Sequence, residues 1–237
     1  MTHALGFQAS ASMWQSFLRL TRLVDPLLPE SLVPRPLPLS DAQLLAGRAW
    51  LNAQGAAPNA RRIALHLGSG SGQPFKRWPV ASFAKLAYEF LGRSHNQAII
   101  LTGQPLERAL LAEFRSRYDG VAVDATGVAS IAMTASILRE CDLLVSNDTG
   151  VMHLGAAMGT PTVGLFGPTA PAQWAPSGPR VAHAYGTKVT CSPCINSYLN
   201  LVPTHCANPN YAHCMADVSV ESVFNAARSI IAGCWLD

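Results

Sequence analysis

The chain has 237 residues, of which 49% are hydrophobic and 13% charged, with a formal net charge of +3. That is enough apolar material to bury a sizeable core, and it excludes a disordered chain. The weak charge supplies no basic tract to follow a nucleic-acid backbone, so nucleic acid is not expected as a partner.

No apolar run approaches the length that spans a bilayer, and the start Met1-Thr2-His3-Ala4-Leu5 lacks the regions of a secretory signal, so a cytoplasmic location is expected. Residues 13–24 set Met13, Trp14, Phe17, Leu18, Leu20 and Val24 at helical spacing with Arg19 and Arg22, ended by Asp25-Pro26. Such a helix can pack on protein or associate peripherally with a membrane surface. Residues 25–40, with Pro26, Pro29, Pro34, Pro36 and Pro38, read as an extended connector. A short helix is expected over 41–52, capped by Ser40 or Asp41.

From Arg61 the chain alternates strand and helix. Strands are expected at 63–67, 97–101, 121–124, 142–146 and 161–166. Helices are expected at 80–91, from Pro105 to about 118, at 130–140 and at 220–231. The residues after Arg180 read as irregular up to that last helix. Short, fully apolar strands separated by helical patterns predict an α/β fold: a Rossmann-like parallel sheet with helices on both faces and ligands beyond the carboxyl ends of the strands. The division expected is 1–58 as a helical, proline-rich interdomain remnant and 59–237 as a nucleotide-sugar-binding domain with a cysteine-containing loop.

The candidate site lies at those strand ends. In Ser146-Asn147-Asp148-Thr149-Gly150-Val151-Met152-His153 a buried strand gives way to a helix. Free N–H groups at a helix start suit an anion, Gly150 lets the backbone come close, and Asp148 can accept from sugar hydroxyls. Asp148 or Thr149 as a plain helix cap, and His153 as a core histidine, are the bland alternatives. The loop Gly68-Ser69-Gly70-Ser71-Gly72, followed by Lys76, joins backbone donors, two hydroxyls and a cation, which suits a diphosphate. It has neither the Walker spacing nor the dinucleotide fingerprint. Glu107 can accept from ribose hydroxyls or simply favour the first turn of a helix.

Four of the six cysteines cluster as Cys191, Cys194, Cys206 and Cys214. They are either thiolate ligands to a structural iron or zinc or four separate thiols.

His66-Leu67-Gly68-Ser69-Gly70, Lys76-Arg77-Trp78-Pro79, Leu101-Thr102-Gly103, Asn147 to His153 and Phe166-Gly167-Pro168-Thr169 together resemble glycosyltransferase family 9, the ADP-heptose:lipopolysaccharide heptosyltransferases. The resemblance covers about residues 60–231, and the cysteine segment is similar to one in many members. It implies the carboxyl-terminal, donor-binding domain of a GT-B enzyme with two facing Rossmann-like domains. It further implies transfer of a heptose or similar sugar from a nucleotide-diphosphate donor, ADP-heptose first, to a lipopolysaccharide-core acceptor, with no cofactor needed for transfer. By it, Lys76 and the 69–71 loop hold the diphosphate, Asp148 holds sugar hydroxyls, Thr149 and Gly150 offer backbone to phosphate, and Glu107 meets the ribose. The acceptor site and general base belong to an amino-terminal domain, expected on a separate chain or an adjoining piece. Ala170 departs from the family, which commonly has an acidic residue there. Two other readings stay open: a non-catalytic nucleotide-sugar-binding or assembly module built on a cysteine-bound metal, and a GT-B sugar epimerase.

Overall fold

The computed structural model describes residues 11–29, 37–70, 72–92, 96–128, 130–186, 189–196 and 199–231. Ser71 therefore lies outside the described residues. In chain order the elements are α1 (Met13–Thr21), α2 (Asp41–Ala53), β1 (Arg61–His66), α3 (Val80–Leu91), β2 (Gln97–Gly103), α4 (Arg108–Arg115), β3 (Ala122–Thr126), α5 (Ile131–Arg139), β4 (Leu143–Asn147), α6 (Gly150–Ala157), β5 (Thr162–Phe166), α7 (Pro171–Trp174), β6 (Val181–Tyr185), α8 (His213–Ala216) and α9 (Val220–Ile230). Single 3-10 turns at Pro74–Lys76 and Pro105–Glu107 lead into α3 and α4.

The six strands pair in parallel in the order β3-β2-β1-β4-β5-β6. The order reverses at β1 and β4, which is where a doubly wound sheet opens a crevice beyond its carboxyl ends. Register brings those ends level, with His66 opposite both Thr102 and Ser146.

Side chains alternate across the sheet, which is why the core divides in two. Ile63, Leu65, Ile99, Leu101 and Val145 point to one face, packed by Phe83, Leu86 and Phe90 of α3, Phe114 of α4 and Phe224 of α9. Ala64, Ala98, Ile100 and Leu144 point to the other, packed by Leu51 of α2 and Ile137 and Leu138 of α5. In α3 the buried positions Val80, Phe83, Ala84, Ala87 and Phe90 recur at the spacing of one helical face. α2 is fixed to the sheet by Arg62, whose guanidinium donates to the Asn52 side chain at 2.6 Å and to the Ala56 carbonyl at 3.0 Å. Glu140 completes that cluster, 3.6 Å from Arg62 and 2.8 Å from Arg48.

One strand departs from the sequence expectation. Residues 181–185, expected to be irregular, form the edge strand β6 beside β5. Only Ala184 of its five residues is buried, and His183 interrupts the apolar residues Val181, Ala182, Ala184 and Tyr185. Among the described residues no helix is long and apolar enough to cross a membrane.

Candidate functional site

A cavity of about 770 Å³ opens at the carboxyl ends of β1, β2 and β4, and its walls include Ser69, Gly70, Lys76, Glu107, Asp148, Thr149, Gly150 and His153. These are all the described donor-site residues expected from the sequence. Their chemistry, however, is divided between ligand-facing groups and internal supports.

The glycine loop after β1 is largely committed to the protein. Glu107 is buried, and its Oε1 accepts from the backbone N–H of Ser69 at 3.1 Å and of Gly70 at 3.2 Å, while Oε2 accepts from Gln104 N–H at 2.9 Å. An internal carboxylate thus occupies the backbone donors that the loop sequence offers to an anion. Ser69 Oγ donates to the Gln73 carbonyl at 2.8 Å and accepts from Arg77 Nε at 3.2 Å, and Arg77 also donates to the Gly70 carbonyl at 3.1 Å. Gly68 is required because a Cβ there would collide with the Glu107 carboxylate. Gly70 has φ +74°, which L side chains adopt only with strain.

The second strand end is more open. Asn147 is fully buried and ties the two motifs together: its Oδ1 accepts from Trp78 N–H at 2.9 Å, and its Nδ2 donates to the carbonyls of Leu67 at 2.9 Å and Gly68 at 3.0 Å. Lys76 reaches Asp148 Oδ2 at 2.8 Å, and Thr169 Oγ1 donates to the same oxygen at 2.8 Å. Both members of this ion pair are largely desolvated, with side chains 13% and 7% exposed. Burying an ion pair costs desolvation energy that Coulomb attraction only partly offsets, so its value lies in placing the ammonium at the mouth of α6. A lysine has three N–H donors, and Asp148 takes one.

At the start of α6, Thr149 is the N-cap yet its side chain makes no capping bond. By contrast Ser12, Ser40, Ser130 and Ser219 each accept from the first turn of α1, α2, α5 and α9. Thr149, Gly150 and Val151 line the cavity, so the positive end of the helix dipole faces it beside Lys76. His153, one turn on, keeps an exposed edge. Its partial burial pulls the imidazole pKa down, Asp148 works against that shift and Lys76 adds to it. The far wall is apolar, with Leu37, Ala125, Ile131, Leu154 and Ala157.

His66 is a cavity-lining residue without a separate role in the sequence reading. Its Nδ1 lies 3.1 Å from Thr102 Oγ1, and burial pushes its pKa down to about 4 although Glu107 pulls the other way. The folded protein therefore leaves this imidazole neutral between pH about 4 and the ordinary histidine value of about 6.5, where the unfolded chain takes up a proton. The unfolded state binds more protons in that window, so stability falls as pH drops through it and levels below about 4. Urea midpoints measured between pH 7 and 4.5 are expected to fall for the wild type and to fall less for His66→Gln.

The cysteine loop is pinned beside the site. Ser192 Oγ donates to the Gly167 carbonyl at 2.6 Å, and Ile195 N–H to the Pro168 carbonyl at 2.8 Å. Burial and the neighbouring thiols raise the pKa of Cys194, and that of Cys214 to about 11, with Cys191 and Cys206 contributing to both. Among the described residues no group of three or more His, Cys, Asp or Glu is arranged to hold a metal ion.

Asn147, Thr169 and Arg77 carry positioning roles that the sequence reading did not assign. The partners of Asn147 and Thr169 are remote in sequence, 69 and 21 residues away, whereas those of Arg77 lie in the adjoining glycine loop.

The glycosyltransferase family 9 (heptosyltransferase) model matches residues 33–202. Lipooligosaccharide heptosyltransferase 2 of Campylobacter jejuni is 28% identical over 179 residues, covering 73% of this chain and 52% of that protein. The chain thus spans about half the length of that relative. A glycosyltransferase family 9 structure from Veillonella parvula superposes with a TM-score of 0.77 at 20% identity, over 96% of this chain and 62% of that one. The ADP-heptose lps heptosyltransferase II of E. coli gives 0.66 at 19% identity, over 86% of this chain and 55% of that one. These two share the fold, a GT-B glycosyltransferase architecture. With the family match spanning well over half of its residues, the chain belongs to glycosyltransferase family 9, the heptosyltransferase family.

Proposed function

We propose that this chain is the donor-binding half of a heptosyltransferase, and that it holds ADP-heptose with the diphosphate between Lys76 and the start of α6. The observation that carries this reading is the convergence on one cavity of a pre-positioned lysine and a helix start that its own N-cap leaves open. The apolar wall accommodates the nucleoside. Glu107 retains acceptor capacity on Oε2 for a ribose hydroxyl, and His153 donates to a phosphate oxygen. Asp148 acts first by aiming Lys76, and its Oδ1 is the part left for a sugar hydroxyl.

In the reaction an acceptor hydroxyl of the lipopolysaccharide core attacks the anomeric carbon, and the bond from that carbon to the diphosphate oxygen breaks. Negative charge grows on the departing ADP. Lys76 and the α6 dipole stabilise it, and neither has to reorganise at that moment. The proton of the acceptor goes to a general base supplied by the amino-terminal half, which also holds the acceptor. Residues 1–58, of which α2 packs on the sheet of this half, serve as the connection between the halves.

Calorimetric titration of the purified chain with ADP and with ADP-heptose, beside a transfer assay, tests this. Binding of both with little transfer is expected, and transfer rises when the amino-terminal half is supplied. Absence of binding overturns the donor site, and rapid transfer by the chain alone overturns the division of labour.

The finer reading of the cysteine loop is one structural iron or zinc ion on Cys191, Cys194, Cys206 and Cys214. Soft thiolates suit either metal. Support comes from a cavity that Cys191, Cys194 and Cys206 line together and from two N–H···S bonds, Asn208 Nδ2 to Cys191 and Ala212 N to Cys206, each 3.4 Å. Among the described residues the sulfurs as placed form no coordination group. Elemental analysis is expected to give about one metal per chain by the four-ligand rule, abolished in Cys191→Ser. Metal-free wild-type protein overturns it.

A further inference from the structure

The turn after β5 carries a support of the Lys76–Asp148 pair, because Thr169 Oγ1 donates to the same Asp148 oxygen that Lys76 reaches, each at 2.8 Å. That turn is held from outside its own strand. Ser192 Oγ donates to the Gly167 carbonyl at 2.6 Å, and the Ile195 N–H donates to the Pro168 carbonyl at 2.8 Å. The two carbonyls immediately before Thr169 are thus fixed by the loop that carries the cysteines. Ser192 Oγ also lies 3.1 Å from the hydroxyl of Tyr185, the last residue of β6, which ties the turn to the neighbouring strand. Behind it, a Cβ on Gly167 would come within 2.8 Å of Met215 Sδ and 3.0 Å of Cys214 Sγ, so the backbone of the turn rests directly on α8.

The same loop reaches the cavity. Ile195 and Val202 wall a space of about 380 Å³ together with Lys76, Thr149 and Gly150. A binding group serves only when its supports hold it within about 0.5 Å of the productive position. Asp148 aims Lys76, Thr169 fixes how the Asp148 carboxylate faces, and the placement of Thr169 depends on the two carbonyls before it. A turn released by Ser192 lets the threonine hydroxyl leave the carboxylate, which then follows the ammonium instead of directing it.

We infer that Ser192 is a positioning residue for the donor site, acting through Gly167, Thr169 and Asp148 on Lys76 and not by contact with the donor. The inference rests on the donor reading above, and it gives the cysteine-containing loop a part in nucleotide binding that is separate from its thiols.

Titration of the full chain with ADP, beside urea denaturation of each variant, tests this. Ser192→Ala leaves all four cysteines in place and is expected to lower ADP affinity about 3- to 10-fold, on the order of one hydrogen bond. Thr169→Val keeps the side-chain shape and removes the bond to Asp148. In that background Ser192→Ala is expected to cost less than about twofold more, because residues acting in series do not add. A serine that only stabilises the loop would lower the urea midpoint and leave ADP affinity unchanged, or would cost the same fold-loss in both backgrounds; either result overturns the inference. If Ser192→Ala fails to fold, Tyr185→Phe decides, since it removes the second contact of the Ser192 hydroxyl. Its expected loss of ADP affinity is about two- to threefold, absent beside Thr169→Val, and unchanged affinity overturns the inference. A wild type that binds ADP while the variants match it leaves the donor reading standing, whereas a wild type that binds no ADP overturns that reading and this inference with it.

Discussion

Lys76→Ala is expected to lower the affinity for ADP by about 30- to 100-fold, equivalent to about 2–3 kcal/mol for charge-assisted contacts to a diphosphate. The variant is also expected to lose stability, by about 3–5 kcal/mol, because Asp148 is left as a desolvated charge whose remaining bond comes from Thr169. Lys76→Arg is not a neutral control. The guanidinium is planar and longer, and the largely buried position that brings Nζ to 2.8 Å from Asp148 was shaped for a point charge. It is expected to recover only part of the affinity. Calorimetry for binding and urea denaturation for stability separate these effects. An alanine variant that binds ADP like wild type would remove Lys76 from the site.

Glu107 is expected to behave in the opposite sense, as a residue whose loss is felt first in the fold. Its carboxylate is the acceptor for three backbone N–H groups, on Ser69, Gly70 and Gln104, and so joins the loop after β1 to the turn after β2. Glu107→Ala leaves all three donors without that acceptor and is expected to cost about 3 kcal/mol, less where water enters. Glu107→Gln keeps one acceptor oxygen and introduces an NH₂ facing backbone donors, so it is expected to recover little of the loss. The exposed Glu113, paired with Arg117 at i,i+4, is the control, with an expected effect under about 0.5 kcal/mol. Donor affinity should fall in the Glu107 variants as well, because a loosened loop no longer holds the cavity wall. If Glu107→Ala matched wild type in urea and lost only donor affinity, the carboxylate would be a ligand contact and not a brace.

The same residues show what the sequence makes legible. β1, β2, β4 and β5 lie inside the sheet, and each is centred on buried apolar residues, Ile63 to Leu65, Ala98 to Leu101, Leu143 to Val145 and Val163 to Phe166. β6 is at the edge and mostly part-exposed, His183 breaks its apolar residues, and its pairing with β5 is a tertiary fact. The motif at 146–153 announces a helix start because Gly150 follows a strand and a polar turn. The absence of a capping bond at Thr149 belongs to side-chain geometry alone. The glycine loop is legible as a backbone that can meet an anion. That the anion is Glu107 is not legible, since the carboxylate lies 37 and 38 residues away from its donors. Asn147 is similar: it is a buried clamp for the Trp78 N–H, a property not written in residue type.

The division of the two strand ends, one braced internally and one left open, is the central claim, and a crystal structure of the chain with ADP tests it most directly. The diphosphate is expected within hydrogen-bond reach of Lys76 Nζ and of the backbone N–H groups at Gly150 and Val151, with Glu107 still bonded to Ser69 and Gly70. A diphosphate seated on the Ser69 and Gly70 amides, with Glu107 displaced and the α6 start untouched, would contradict it.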